Sequence, residues 1–212
     1  FAIAKSTNVN DLQNALKTRT LIFDREEKEA GALSGQKGTY VELTDISKDL
    51  QNAVVATEDR SFYKNDGINY GRFFLAILTA GRSGGGSTIT QQLARVFFLT
   101  REKKLIRKIK EIFLALRIEQ ELSKDEILEL YLNKIELGQR SFGVGAAAQV
   151  YFGKNIQDLT LSEIAIIAGL PQGPSVLNPV RSPSRARARR NIVLGRMLNE
   201  GYITQAQYDE AL

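Results

Sequence analysis

Two glutamates and their neighbours carry the chemistry that can be read from this chain. Glu58 closes the stripe Leu50, Val54, Glu58, which recurs at a spacing of four with Ala53 and Thr57 beside it. One helix face therefore runs apolar up to a carboxylate. At the edge of a core such a group is suited to taking a proton from a hydroxyl, while Arg60 nearby offers a competing salt bridge. Asp59 points about 100° away on a helix and reads as a structural partner. Glu111 follows Arg107 and Lys108 by four and three residues, so the three share a helix face. Alone, that spacing describes a solvated helix with internal ion pairs. Beside a base, it also describes a cationic grip on departing phosphate.

A third group lies between them. Gly84, Gly85 and Gly86 lead into Ser87 and Thr88, and Gln91 and Gln92 follow one turn into a helix. Consecutive glycines let backbone N–H groups approach a ligand, and a helix N-terminus favours an anion. No Lys follows the glycines, so this is not a Walker loop. A surface turn with a Ser cap is the plainer reading. Arg181, Arg185, Arg187, Arg189, Arg190 and Arg196 form a dense basic cluster without interleaved aromatics or a nucleic-acid reading motif. An anionic membrane surface or a pyrophosphate suits it better than nucleic acid.

The bulk composition narrows the chemistry. The 212 residues contain neither His nor Cys, which excludes thiolate chemistry and the usual general base and leaves Asp, Glu, Lys and Tyr. With 43% hydrophobic residues the chain can bury a sizeable core, and its net charge of +5 favours anionic partners. No apolar run is long enough to span a bilayer.

The elements that must position these groups are mostly helices. The pattern predicts a short helix over residues 8–17 capped by Asn10, then β pieces over Thr20 to Asp24 and Thr39 to Leu43 around a polar stretch from Gly31 to Gly38. Helices follow from Ser47 to Glu58, from Tyr70 to Ala80, from about Thr88, and over residues 101–122. In the last of these, Leu105, Ile109, Ile112, Phe113 and Leu116 form the expected apolar face, and Lys104, Arg107, Lys108 and Glu111 the polar one. Ser123 with Glu126, Thr160 with Glu163 and Thr204 with Gln207 are capping-box pairs that start three more helices. An arginine-rich helix is expected around Arg185 to Leu198. The sum is a mainly α globule with minor β structure near the N-terminus.

Five segments, in this order, resemble the peptidoglycan glycosyltransferase domain of class A penicillin-binding proteins and monofunctional transglycosylases. They are Glu58-Asp59-Arg60-Ser61-Phe62, Gly85 to Leu93, Arg107-Lys108-Ile109-Lys110-Glu111, Ile127 to Asn133, and Arg189-Arg190-Asn191-Ile192-Val193-Leu194. The resemblance runs from about residue 40 to the end of the chain. It implies a lysozyme-like fold with a small membrane-facing lobe around residues 70–110, a catalytic domain over residues 47–212, and residues 1–46 as an approach segment.

The implied reaction is polymerisation of lipid II into β-1,4-linked glycan with inversion and release of undecaprenyl pyrophosphate. By that likeness Glu58 deprotonates the acceptor 4-hydroxyl. Glu111 is the second essential carboxylate, holding a divalent cation (Mg or Mn) or organising the donor pyrophosphate. Arg107, Lys108 and Arg190 contact phosphates, while Ser87, Thr88, Gln91 and Gln92 line the cleft. Glu129 and Asn133 read as structural. Implied partners are lipid II, the growing glycan, the membrane surface, moenomycin-type inhibitors and other cell-wall synthesis proteins. The implied location is the outer face of the cytoplasmic membrane, with an anchor outside this sequence.

The chain departs from many relatives in carrying Asn65 where they have His, which removes titration at that position. Two rival readings remain, a lytic transglycosylase or lysozyme-type hydrolase and a non-catalytic basic lipid-binding module. A hydrolase cutting uncharged glycan has no use for the basic face from Lys104 to Lys108.

Overall fold

The computed structural model of the chain describes residues 20–23, 29–33, 40–71, 86–97 and 104–212. The helix expected over residues 8–17 and the body of the helix expected from Tyr70 to Ala80 lie outside them. An antiparallel pair, β1 (Thr20–Phe23) and β2 (Glu29–Leu33), opens the described chain, with Thr20 opposite Leu33 and Ile22 opposite Gly31. The first β piece is therefore where the sequence places it. The second is not: the partner strand starts ten residues earlier and runs into the supposed polar stretch. Tyr40 to Glu42 form no strand, and Leu43–Asp45 is a 3-10 turn.

The rest is helical. Ser47 caps α1 (Lys48–Glu58) by accepting the N–H of Leu50, and the helix carries Leu50, Ala53, Val54, Val55 and Ala56 into the core. Next among the described residues come α2 (Ile89–Phe97) and α3 (Lys104–Glu121). Capping boxes start α4 (Lys124–Lys134) at Ser123 and Glu126, and α6 (Leu161–Gly169) at Thr160 and Glu163. Between them runs α5 (Val144–Phe152), ended by Gly153 in the left-handed region. The arginine-rich helix is α7 (Pro183–Asn199), and a third capping box, Thr204 with Gln207, starts α8 (Gln205–Ala211).

One apolar core joins these helices. Leu50, Phe62, Ile89, Leu93, Ile118, Ile127, Tyr131, Ile167 and Leu194 are all essentially inaccessible. α1 packs on α6 and α7, while α2 packs on α3 and α4, so the C-terminus of α1 faces the seam between the two groups. The segment before α1 is tied to the body through α4. Asn133 Oδ1 accepts the N–H of Val41 at 2.8 Å and its Nδ2 donates to the Val41 carbonyl at 2.8 Å. Glu129 accepts from the Tyr40 hydroxyl and, at 2.8 Å, from the N–H of Leu43. Gly143, at φ +82°, lies against Asn133, where a Cβ would come within 2.5 Å of that residue's carbonyl oxygen. Glu129 and Asn133 are thus structural, as their helical spacing indicated.

The face of α3 differs from its expected phase. Ile109 and Phe113 are about half exposed, whereas Glu111, Leu114, Ala115, Ile118 and Leu122 form the buried stripe. Counting apolar residues placed the axis of that face about one position off. The consequence is chemical, because Glu111 sits inside rather than on the solvated side.

Candidate active site

Glu58 is the last residue of α1, and its side chain is 11% exposed. Two elements meet it, and a third acts through one of them. From α2, Gln92 Nε2 donates to Glu58 Oε2 at 2.9 Å. From α4, the Tyr131 hydroxyl donates to Gln92 Oε1 at 3.0 Å, which orients that amide. From α7, Arg189 Nη2 lies 3.7 Å from Glu58 Oε1, and Arg189 Nε donates to the Gly169 carbonyl. Burial lowers the affinity of the Arg189 guanidinium for its proton, Glu58 opposes that shift, and Arg196 adds to it. Arg196 also closes the end of α1, donating to the Thr57 carbonyl at 2.7 Å.

The sequence anticipated the carboxylate but not its partner. Arg60 bonds Glu200 rather than Glu58, and Arg190 turns away toward Ser162 Oγ, at 3.1 Å, and the Leu212 carbonyl. Within α7 the arginine that reaches Glu58 is Arg189, the neighbour of Arg190, for which the resemblance implies phosphate contact. A signal for it did exist: Ala186, Arg189, Val193 and Met197 recur at spacings of three and four, and all are buried.

Asp59 is also buried, and its role is mechanical. It accepts from Ser61 Oγ, from both approaches of Asn65 Nδ2 at 3.0 and 3.1 Å, and from the N–H of Ile89 at 3.3 Å. It therefore holds the first turn of α2 against the end of α1. Thr88 and Gln91 complete that turn. The N–H of Gln91 donates to Thr88 Oγ1 and the N–H of Thr88 to Gln91 Oε1, a fourth capping box, and Thr88 Oγ1 donates to the Gly67 carbonyl at 2.6 Å. Both side chains are buried. Of the four residues expected to line a cleft, these two are committed to structure, and Ser87 and Gln92 are the partly open pair.

Glu111 forms the second centre. Its Oε1 lies 3.3 Å from Arg95 Nε and 3.5 Å from Arg107 Nε, and its Oε2 lies 3.4 Å from Lys108 Nζ. Lys108 also donates to Ser87 Oγ at 2.9 Å. Burial moves the Lys108 ammonium below the ordinary lysine range, opposed chiefly by Glu111. The carboxylate is 2% exposed while the Arg95, Arg107 and Lys108 side chains are 51, 37 and 37% exposed. Three cationic groups thus surround one buried anion and reach the surface with a net positive charge. Among the described residues no group of three His, Cys, Asp or Glu side chains is placed to hold a metal ion. Among the described residues this centre offers one carboxylate among three cations, which fits an incoming anion; Mg or Mn there would need oxygen ligands from that anion besides Glu111.

The two centres share α2. Gln92, which holds Glu58, and Arg95, which holds Glu111, are three residues apart and hence on one face, about 4.5 Å apart along the axis. Tyr131 feels both, since burial and then Glu58 raise its proton affinity while Arg95 lowers it. A proton acceptor and an anion grip therefore line one edge of the same helix. That pairing suits transfer of a group from a phosphate ester to a hydroxyl.

Comparison with known proteins gives the family. Residues 26–198 match the family model described as transglycosylase. The chain is 63% identical over 211 residues to penicillin-binding protein 2a of Streptococcus pneumoniae, a match covering all of this chain and 29% of that protein. It is 59% identical over 174 residues to penicillin-binding protein 1A of Escherichia coli, covering 80% of this chain and 20% of that protein. Among solved structures, penicillin-binding protein 1A of Haemophilus influenzae aligns with a TM-score of 0.53 and 37% identity, over 92% of this chain and 20% of that one. The chain belongs to the transglycosylase family, and its architecture is the mainly helical, lysozyme-like one that the motifs implied. It spans less than a third of the curated relatives named here.

Proposed function

We propose that this domain is a peptidoglycan glycosyltransferase that polymerises lipid II into β-1,4-linked glycan at the outer face of the cytoplasmic membrane. The observation that carries the reading is the placement of Glu58 and the Arg95, Arg107, Lys108 cluster along one edge of α2. In the reaction Glu58 takes the proton of the acceptor 4-hydroxyl as its oxygen bonds to the donor's anomeric carbon. The bond from that carbon to the diphosphate breaks on the opposite face, so configuration inverts. Undecaprenyl diphosphate departs with its new charge held by the three cations. No step is routed through a metal ion.

In this reading residues 47–212 form the catalytic domain; the small membrane-facing lobe expected around residues 70–110 lies partly outside the described residues. Among the described residues no helix is long and apolar enough to cross a membrane. A moenomycin-type phosphoglycolipid would place its phosphate on the cation cluster. A glycan-cleaving enzyme also needs a carboxylic acid at a helix end, but the buried carboxylate encircled by three cations serves no purpose on an uncharged substrate.

The deciding assay incubates the purified domain with labelled lipid II and, separately, with preformed glycan. Elongated product that lysozyme digests is the expected outcome. Shortening of the preformed glycan with no elongation of lipid II would establish a hydrolytic or lytic enzyme instead.

A further inference from the structure

Tyr131 is fully buried, the largest of the inaccessible side chains; it lies within the segment Ile127 to Asn133, where the sequence gives it no role of its own. Its hydroxyl makes one contact of consequence, to Gln92 Oε1, and the other end of that amide bonds Glu58. The chemistry of the three groups fixes the direction of both bonds. An ionised carboxylate only accepts, so it must be met by the amide N–H, which leaves the amide oxygen toward Tyr131. A hydroxyl there donates. Turned over, the amide would set its oxygen against the carboxylate and its N–H₂ toward the phenol, an arrangement suited to a protonated Glu58.

We propose that Tyr131 is a positioning residue for the transfer reaction: through Gln92 it holds Glu58 in the hydrogen-bonding state of a proton acceptor. Burial and the nearby Glu58 charge keep the phenol protonated, and hence a donor, far above neutral pH. Tyr131 belongs to the buried core and is 1% exposed, so its hydroxyl is a fixed reference against which the Gln92 amide is set. The remaining charged neighbours act differently. Arg189 supports Glu58 from α7, Arg196 holds the preceding backbone, and Arg95 is engaged with Glu111. Of the described contacts to Glu58, only that from Gln92 depends on amide orientation.

The inference rests on Glu58 as the general base, and the experiment separates the two. Tyr131→Phe keeps the ring and removes the hydroxyl. Its expected effect is a fall in kcat of about tenfold to a hundredfold with KM for lipid II within about twofold. In NMR spectra of the domain, the Gln92 side-chain amide protons should exchange with water at least about tenfold faster in Tyr131→Phe than in the wild type. A double-mutant cycle with Gln92→Ala should show Tyr131→Phe adding no further loss, since both act on one contact. Unchanged kcat, unchanged amide exchange or additive losses would each overturn the relay while leaving the base assignment standing. Full polymerisation by Glu58→Gln would remove the base assignment and the relay with it.

Discussion

At the scale of single residues, the account turns on what each side chain has left to offer after its structural bonds are made. Thr88 and Gln91 look like ligand residues in the sequence, yet both are buried, Thr88 Oγ1 and Gln91 Oε1 cap the first turn of α2, and Thr88 also bonds the Gly67 carbonyl. Gln92 has one end on Tyr131 and the other on Glu58. Arg189 depends on a glycine. A Cβ on Gly169 would come within 2.8 Å of Arg189 Cγ, so Gly169→Ala must displace that side chain and is expected to disturb its contact with Glu58. Alanine is favoured over glycine in a helix by about 1 kcal/mol, and Gly169 needs no positive φ. The predicted outcome is a drop in polymerisation rate of about tenfold with a Tm within a few degrees of the wild type, read by a lipid II assay beside thermal denaturation. The residue-level chemistry was legible where the stripe logic was applied, at Glu58. The same logic picks out Arg189, but the choice between Arg189 and Arg190 requires the rotational phase of α7, which a run of arginines obscures.

At the scale of elements, α2 is the spine of the site. Asp59 and the Thr88–Gln91 pair fix its first turn, and Gln92 and Arg95 on one face reach the two carboxylates. Thr88→Ala removes the cap and the bond to the Gly67 carbonyl, and is predicted to cost about 1–2 kcal/mol of stability by denaturant unfolding. The cation cluster predicts a second result. Inorganic pyrophosphate at millimolar concentration should raise the Tm by about 2–4 °C, a linkage effect on the order of 1 kcal/mol. The double substitution Arg107→Ala with Lys108→Ala should abolish that rise. Capping boxes made three helix starts readable from sequence, and Thr88 with Gln91 carries the same signature, hidden there by the preceding glycines. The burial of Glu111 was not readable, because α3 offers apolar residues on more than one face and only its packing on α2 and α4 chooses among them.

At the scale of the whole molecule, one core is closed by polar ties between elements distant in sequence. Lys154 pairs with Glu163 at 2.8 Å and joins the end of α5 to the start of α6. Burial alone would raise the Glu163 carboxyl, but bonds from Lys154 and Thr160 together hold it below the ordinary carboxylate value of 4.5. Its contribution is therefore complete above that value and lost as pH falls through the depressed folded one. Glu163→Gln should lower stability by about 0.5–1 kcal/mol at pH 7, and the Tm difference from the wild type should vanish in strong acid. The helical class and the order of the motifs followed from local patterns. The β2 register did not, since strand pairing is a long-range choice that a short alternating run cannot specify. The same long-range packing brings α1, α2 and α7 to one seam, which makes a single carboxylate the centre of the proposed reaction. The most direct test is lipid II polymerisation by Glu58→Gln, with folding verified by an unchanged circular dichroism spectrum. The account predicts a rate at least about a hundredfold below the wild type; glycan synthesis within a factor of two of the wild type would contradict it.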